Sequence, residues 1–287
     1  MTTPHSPTLR LRRLATMLRQ ARESSGLTTP QVGAKLKWSA GKVSKMETTE
    51  TKRISAADLD KLMTLYKIED PQTRDAMHAL ARDARQRGWW SKYKEVFKDR
   101  ALPDFEAEAS VIRTFAALTL PGLLQTPEYA EAIFRGGRYV KLEEIQRRVE
   151  FRMARRDILT KIRPTQLRAV IDEAALRRMI GGREVMLTQL EHLLHMAQLP
   201  NIDVQVLPYE AGAHAALAAP FTILEFAEPL GTPIVYVGTV TDAIFLEEAE
   251  DISQYNATFG DVQGSALSTV RSAAFIEQVA ASLESEK

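Results

Sequence analysis

The sequence predicts an α+β protein in which an all-α head of five helices precedes a larger α+β domain. The first 86 residues contain short amphipathic segments with helix-capping residues, and the hydrophobic periodicity becomes mixed after residue 102. Residues 1–100 contain 21 Lys and Arg against 11 Asp and Glu, whereas the remainder contains 17 against 26. A basic front and an acidic back indicate two domains with different partners, and nucleic acid is the usual partner of a basic domain. We assign residues 1–86 to the head, 87–104 to an aromatic linker and 105–287 to the second domain.

Composition excludes several classes of protein. A hydrophobic fraction of 45% and a charged fraction of 26% are typical of a globular protein. The absence of cysteine excludes disulfides and thiolate metal sites, and fits a reducing compartment. The apolar stretch 215–226 contains Pro220 and Glu225 and is too short for a membrane span, and no signal peptide is evident. We therefore expect a cytoplasmic protein with no membrane contact and no cofactor.

The head is predicted to contain five helices. The first runs from about Thr8 to Ser24 and ends at Gly26, a residue suited to the left-handed conformation after a helix. The other four are opened by residues that cap helices well, which are Thr28, Ser39, Ser55 and Asp70. The residues predicted to face inward are Leu11, Leu14, Leu18, Ala21, Val32, Leu36, Trp38, Val43, Met46, Leu59, Leu62, Met63, Tyr66, Met77, Leu80 and Ala84.

Short helices separated by two or three residues are typical of a helix-turn-helix unit. The second helix of such a unit enters the major groove, so its first residues must be small or able to hydrogen bond. Ser39, Ala40, Gly41, Lys42 and Ser44 meet this need, and Lys42 has the donors that guanine N7 and O6 require. The predicted phosphate contacts are the helix start at Thr28 together with Thr29, Lys35, Lys45 and Arg53.

A solvated face is the alternative for Lys42 and Lys45. Glu47 lies on the same helix but carries a negative charge, which DNA would repel. We expect Glu47 to form a hydrogen bond or an ion pair inside the head.

Two segments of the head resemble the phage-repressor (XRE) type of helix-turn-helix domain. They are Gly26–Gly33, with the sequence Gly-Leu-Thr-Thr-Pro-Gln-Val-Gly, and Trp38–Glu47. Members of that family usually have Gln where this chain has Thr29, and Gly where it has Trp38. The resemblance implies a DNA-binding regulator, and the Thr29 difference implies the loss of a Gln contact that anchors many relatives.

An aromatic cluster marks the predicted linker. Trp89, Trp90 and Tyr93 follow Gly88, which ends a helix. Aromatic side chains of this size require burial, so we expect them to join the two domains. A stacking platform for nucleic-acid bases is the alternative.

The second domain is predicted to mix strands and helices. The segment Ile112–Leu120 is apolar enough for a strand, and Thr126 with Pro127 opens a helix. Further strands are predicted at Leu167–Ile171, Val204–Leu207, Phe221–Phe226 and Ile234–Val237, and further helices at Leu142–Leu159, Glu184–Ala197 and Leu267–Leu283.

Several segments of the second domain resemble a domain of unknown function that follows an XRE-type head in many actinobacterial regulators. They are residues 105–113, 120–130, 168–176 and 200–208, followed by 212–214 and Phe221. The resemblance implies a role in differentiation or secondary metabolism, and a small companion protein encoded by a neighbouring gene. It therefore implies that the second domain binds a companion protein, a small molecule, or both.

Candidate residues for such a ligand or partner site are Gln125, Tyr129, Arg148, Arg152, Glu173, His214 and Phe221. A solvated face is the alternative for the arginines. His214 with Asp172 or Glu173 offers a general base, but no nucleophile motif accompanies it, and we expect no enzyme activity. His192 and His195 share one helix face, but no third metal ligand is evident, and we expect no metal.

The sequence thus predicts a sequence-specific transcriptional regulator. We expect a homodimer, because two recognition helices one DNA turn apart match a palindromic operator. The second domain would bind a ligand or companion protein and change the affinity for double-stranded DNA. The alternatives are a fixed dimerisation platform and a catalytic domain tethered to DNA.

Overall fold

The computed structural model describes residues 7–51, 53–84, 92–93, 102–137, 141–227, 231–239 and 243–285. The chain divides into two compact units, with the boundary between residues 91 and 92. The first unit is helical and the second combines helices with a six-stranded sheet, so the predicted fold class is confirmed.

The head contains the five predicted helices. They are α1 (Pro7–Ser24), α2 (Thr29–Leu36), α3 (Ala40–Glu47), α4 (Ala56–Leu65) and α5 (Pro71–Asp83). All four predicted capping residues accept a hydrogen bond from the backbone N–H three residues later: Thr28 from Gln31, Ser39 from Lys42, Ser55 from Asp58 and Asp70 from Thr73. The helix starts were therefore predictable from single residues.

Most of the predicted inward-facing residues of the head are buried. Leu14, Leu18, Val32, Leu59, Met63 and Met77 have no exposed surface, and Val43, Met46, Leu62, Tyr66 and Leu80 are at most 5% exposed. Leu11, Ala21, Leu36, Trp38 and Ala84 are only half-buried, contrary to the prediction. Leu36 and Trp38 lie next to the turn between α2 and α3.

The second unit contains seven helices and six strands in the part of the chain that the structure describes. The helices are α6 (Leu102–Glu108), α7 (Pro127–Gly136), α8 (Leu142–Arg155), α9 (Glu173–Arg177), α10 (Arg183–Met196), α11 (Ala249–Ser265) and α12 (Thr269–Ser285). The strands are β1 (Ala109–Ala116), β2 (Gln166–Asp172), β3 (Ile202–Leu207), β4 (Phe221–Phe226), β5 (Ile234–Gly238) and β6 (Ala243–Leu246). Short 3₁₀ turns occur at Gly122–Leu124, Arg156–Leu159 and Tyr209–Ala211.

The strands form one mixed sheet in the order β3-β2-β1-β4-β5-β6. Strands β1, β2 and β3 are parallel, whereas β4, β5 and β6 continue the sheet with antiparallel pairing. Helix α11 covers one face, where Phe259 packs against Phe115 and Phe221 in a common core. Since side chains alternate along a strand, neighbours of these residues project from the opposite face.

Several boundaries in the second unit differ from the prediction. The strand predicted at Ile112–Leu120 ends at Ala116, and the helix predicted at Leu142–Leu159 becomes a 3₁₀ turn after Arg155. Helices α6, α9 and α11 and strand β6 were not predicted. Helix α6 begins inside the segment predicted as a linker. Among the helices of the described ranges, none has the length and apolar character that crossing a membrane requires.

Of the aromatic cluster predicted for the linker, only Tyr93 lies within the described residues. Trp89 and Trp90 lie outside the described residues. Tyr93 is 8% exposed, and its ring centroid lies 5.3 Å from that of Phe151 on α8. Tyr93 therefore packs within the second unit.

Candidate nucleic-acid interface

The turn between α2 and α3 positions the predicted recognition helix. Lys37 adopts the left-handed conformation, with φ 58° and ψ 41°, and Trp38 donates its backbone N–H to the carbonyl of Gly33. The position of this turn that favours glycine is therefore Lys37, not Trp38 as the sequence comparison had indicated. Ser39 then caps α3, and its hydroxyl accepts from the backbone N–H of Lys42 at 3.2 Å.

Helix α3 presents a polar face to solvent. Val43 and Met46 are buried, whereas Gly41, Ser44 and Lys45 are exposed. A Cβ atom added at Gly41 would meet no other atom within 4 Å, so open space lies in front of this part of the helix. Ala40 is the first residue of α3. The start of α3 therefore offers small and hydrogen-bonding groups to an approaching surface, as major-groove recognition requires.

Lys42, the predicted base contact, is engaged within the head. Its Nζ lies 3.0 Å from Oδ2 of Asp58 and 3.9 Å from the ring centroid of Trp38. Although burial opposes the charge of Asp58, hydrogen bonds from Lys42 and Ser55 lower the pKa of that carboxyl overall. Lys61 lies 6.0 Å above the same Trp38 ring. Trp38 is therefore a half-buried platform for two ammonium groups.

The predicted phosphate contacts surround this face. Lys35, Lys45 and Arg53 are exposed, and within the described ranges none of them has a carboxylate partner within 4.0 Å. Thr28 is exposed and forms a capping box, because its hydroxyl accepts from the backbone N–H of Gln31 at 3.4 Å and its own backbone N–H donates to Oε1 of Gln31 at 2.8 Å. Thr29 is half-buried. Three cations thus remain available for an anionic partner.

The prediction that Glu47 makes an internal ion pair is confirmed. Nε of Arg22 lies 2.8 Å and 3.0 Å from the two carboxylate oxygens of Glu47, and Nη1 of Arg22 donates to the carbonyl of Leu27 at 2.9 Å. The hydrogen bond to Glu47 raises the pKa of Arg22, against the effect of burial. Arg22 therefore ties the end of α3 to α1 and to the segment before α2.

The sequence alone did not indicate that Arg22 is the partner of Glu47. Arg22 and Glu47 are 25 residues apart in the sequence and lie on different helices. A basic residue at the last turn of α1 and an acidic residue at the last turn of α3 gave no periodic signal. The pairing became visible only when the packing of the two helices was known.

Comparison with family models matches the head and the second unit to two different domains. A helix-turn-helix domain matches residues 13–77, and a domain of unknown function, DUF5753, matches residues 99–278. The second match covers more than half of the chain. The chain belongs to the DUF5753 family. No curated protein and no solved structure matches it.

The DUF5753 domain brings together three of the seven residues predicted for a ligand or partner. Gln125, Arg152 and Phe221 line one cavity. Tyr129 is fully buried beside that cavity, and its hydroxyl accepts from the backbone N–H of Leu120 at 3.2 Å. Arg148 lies outside the lining, with Nη2 3.1 Å from a carboxylate oxygen of Glu144.

Glu173 and His214 occupy a different place in the DUF5753 domain. Glu173 accepts from Nε of Arg177 at 2.6 Å and from the backbone N–H of Tyr209 at 2.8 Å. His214 is 7% exposed in its side chain, and its Nε2 lies 3.9 Å from Oδ2 of Asp172. The carboxylate of Glu173 is therefore used to hold α9 and the 3₁₀ turn after β3.

His192, considered as a metal ligand, faces an arginine. Its Nε2 lies 3.0 Å from Nη2 of Arg156, and burial, followed by the charges of Arg156 and His195, lowers the pKa of His192 to about 4. A neutral imidazole nitrogen accepts a hydrogen bond from the guanidinium in this geometry. Within the described ranges, no group of three His, Cys, Asp or Glu is placed to hold a metal.

Proposed function

We propose that this DUF5753 protein is a sequence-specific transcriptional regulator with an XRE-type head. The observation that carries the proposal is the exposed start of α3, where Gly41, Ser44 and Lys45 face solvent beside two capped helix N-termini. Small and polar side chains at this position allow close approach to base edges. Lys35 and Arg53, which have no carboxylate within 4.0 Å among the described residues, supply the phosphate contacts that fix the orientation on the duplex.

Lys42 has two states in this proposal. Without DNA, its ammonium group is shared between Asp58 and the ring of Trp38. Its side chain is 37% exposed, and partly exposed ion pairs of this kind contribute little to stability. Transfer of Lys42 to guanine O6 and N7 therefore costs little, and the base contact replaces the one with Asp58.

The regulator acts as a homodimer on a palindromic operator. Two copies of α3 separated by one helical turn of DNA contact two half-sites, which raises affinity over a single head. The DUF5753 domain binds a small ligand or a small companion protein, and the bound state favours one arrangement of the two heads. Its role is one of binding rather than catalysis, and it is exerted in the cytoplasm.

The test is a mobility-shift titration of the full-length protein on the DNA upstream of its own gene. Lys42→Ala should weaken specific binding by about tenfold and relax sequence preference at one position of each half-site. Arg19→Ala is the matched control, because Arg19 is an exposed cation of α1 whose side chain is 65% accessible and pairs only with Glu23. Equal losses in both variants would show that Lys42 contributes only charge, and would contradict its assigned role.

A further inference from the structure

A cavity of about 330 Å³ opens at the carboxyl end of β1 in the DUF5753 domain. Strand β1 has a parallel neighbour, β2, on one side and an antiparallel neighbour, β4, on the other. Ligands of sheets with parallel strands often bind outside the carboxyl ends of those strands, where the strand order changes direction. The volume falls within the range of small-molecule sites.

One wall of the cavity is a row of hydroxyl groups on the sheet. Thr114 of β1 is paired in register with Thr222 of β4, and Thr222 is paired with Tyr236 of β5. All three line the cavity, and the two threonine hydroxyl oxygens are 3.0 Å apart. Directly paired residues project from the same face of a sheet. The row therefore lines one part of the cavity with polar side chains.

Two arginines from α8, Arg152 and Arg155, also line the cavity. Arg155 donates to both oxygens of Glu106 at 2.7 Å and 2.6 Å, and this carboxylate is only 5% exposed. Although burial acts against its charge, the proximity of Glu106 raises the pKa of Arg155. Arg155 and Glu106 together are thus electrically neutral.

Arg152 has no such counter-ion. In the described part of the chain no carboxylate lies within 4.0 Å of its guanidinium, and its one hydrogen bond runs from Nη1 to Oε1 of Gln125 at 2.6 Å. Burial, and then the charge of Arg155, lower the pKa of Arg152 to about 9, so the group remains protonated at neutral pH. The described cavity lining contains no Asp or Glu. The cavity therefore carries one uncompensated positive charge.

The guanidinium of Arg152 is held in a defined orientation. Its central carbon lies 4.3 Å from the ring centroid of Phe134, and Gln125 is fixed because its Nε2 donates to the carbonyl of Leu120 at 2.7 Å. Gln125 is only 2% exposed. A planar guanidinium held in this way keeps its remaining N–H groups for a bidentate acceptor.

We propose that this cavity binds a small organic acid, in which one carboxylate pairs with Arg152 and an apolar body fills the space lined by residues such as Leu118, Leu120, Ile133 and Phe221. A singly charged carboxylate matches the single free positive charge, whereas a doubly charged phosphate would leave one negative charge without a partner. This inference names the ligand class of the sensing role proposed above. The proposed ligand depends on the sensing role only in one respect, which is that its binding should change the affinity for DNA.

The test is a calorimetric titration of the full-length protein with 4-phenylbutyrate, in the absence of DNA. Saturable binding is expected, and 4-phenylbutanamide, which has the same body without the charge, should bind at least tenfold more weakly. Arg152→Gln should weaken 4-phenylbutyrate at least tenfold and abolish the difference between acid and amide. Arg152→Lys should fall between the two, because it keeps the charge and loses the planar fork.

Arg147→Gln is the matched control, since it removes the same charge from an exposed residue of the same helix that does not line the cavity, and it should bind like the unaltered protein. Absence of saturable binding, or equal binding of acid and amide to the unaltered protein, would overturn the proposal. The acid–amide comparison stands even where Arg152→Gln fails to fold. Binding of the acid by a protein that has no preference among DNA sequences would refute the proposed function and leave this inference intact.

Discussion

Two half-buried arginines of this protein, Arg22 in the head and Arg152 in the DUF5753 domain, have opposite surroundings. In the head, Arg22 meets both oxygens of Glu47, which is 6% exposed, and also donates to the carbonyl of Leu27. In the DUF5753 domain, Arg152 donates to the neutral amide of Gln125 and has no carboxylate within 4.0 Å among the described residues. A charge that is paired inside a fold holds helices in place, whereas a charge without a counter-ion at a cavity is suited to an external anion.

The difference separates the tasks of the two units. In the head, Arg22 is paired inside the fold, whereas the cations Lys35, Lys45 and Arg53 are exposed on the surface. In the DUF5753 domain, Arg152 lines a cavity whose volume is typical of small-molecule sites. We infer that the head recognises DNA through its surface, and that the DUF5753 domain recognises a ligand inside its cavity.

The largest effect on stability is expected when the ion pair between Arg22 and Glu47 in the head is broken. Glu47→Ala leaves Arg22 without its partner, and breaking a buried ion pair in this way costs about 3–5 kcal/mol. Hydrogen–deuterium exchange of the full-length protein should show faster exchange throughout α1, α2 and α3. Glu50→Ala, at an exposed position that only accepts from the hydroxyl of Thr48, should leave these rates unchanged. Slow exchange in Glu47→Ala would show that the pair does not hold the head together.

The second prediction concerns a titratable group of the DUF5753 domain. The pKa of His192 is about 4 in the folded chain against 6.5 for a free imidazole. Above pH 6.5 the imidazole is neutral in both states and has no effect on the pH dependence of stability. As pH falls from 6.5 to 4, the unfolded chain takes up a proton that the folded chain does not, so the folded state loses stability.

His192→Gln should therefore reduce the loss of stability between pH 6.5 and pH 4, because the amide oxygen still accepts from Arg156 and does not titrate. Urea denaturation at pH 7, 5.5 and 4.5 measures this difference. His195→Gln, at an exposed neighbouring position, should retain most of the loss. Parallel curves for the unaltered protein and His192→Gln would contradict the assignment.

A smaller effect is expected at the turn that positions α3. Lys37 has a φ of 58°, which costs about 1 kcal/mol for a residue with a side chain and little for glycine. Lys37→Gly should raise the free energy of unfolding of the head by about 0.5–1 kcal/mol, as measured by thermal denaturation. Lys35→Gly removes the same charge from the last turn of α2 and should lower stability by about 0.5–1 kcal/mol, because glycine has a low helix propensity. The two variants thus differ in sign, and a loss of stability in both would show that the turn is not strained.

The smallest effect is expected for the partly exposed ion pair between Lys42 and Asp58 in the head, and it concerns DNA affinity. Asp58→Asn releases Lys42 and should raise DNA affinity by about two- to fivefold, since exposed pairs are worth up to about 1 kcal/mol. Asp75→Asn makes the same charge change at an exposed position of α5 and should raise affinity less. Fluorescence anisotropy on the upstream DNA measures both. An equal rise in the two variants would show that Asp58 does not restrain Lys42.

The head could be predicted from its sequence because its signals are local. Thr28, Ser39, Ser55 and Asp70 each mark a helix start without reference to any other part of the chain. Helix α11 was missed because only Ile252, Phe259 and Val262 are buried among its 17 residues. Three widely spaced apolar residues give little periodicity, and the helix is stabilised by the sheet it covers.

The candidate sites were predictable only in part. The exposed polar face of α3 follows from helical periodicity, and Gly41, Ser44 and Lys45 lie on it as expected. The contact of Lys42 with Asp58 depends on the packing of α4 beside α3, which no local pattern records. The cavity in the DUF5753 domain requires the register of three strands, and Thr114, Thr222 and Tyr236 are far apart in sequence. Arg152 was selected for its charge, but the absence of a counter-ion became apparent only in the fold.

Selection from a pool of randomised DNA duplexes by the full-length protein at physiological salt measures the central claim directly. Our account predicts enrichment of a palindromic sequence with half-sites about 10 base pairs apart, and a change at one position of each half-site for Lys42→Ala. Recovery of duplexes with no common sequence would contradict the claim that α3 recognises bases, whatever the total affinity for DNA.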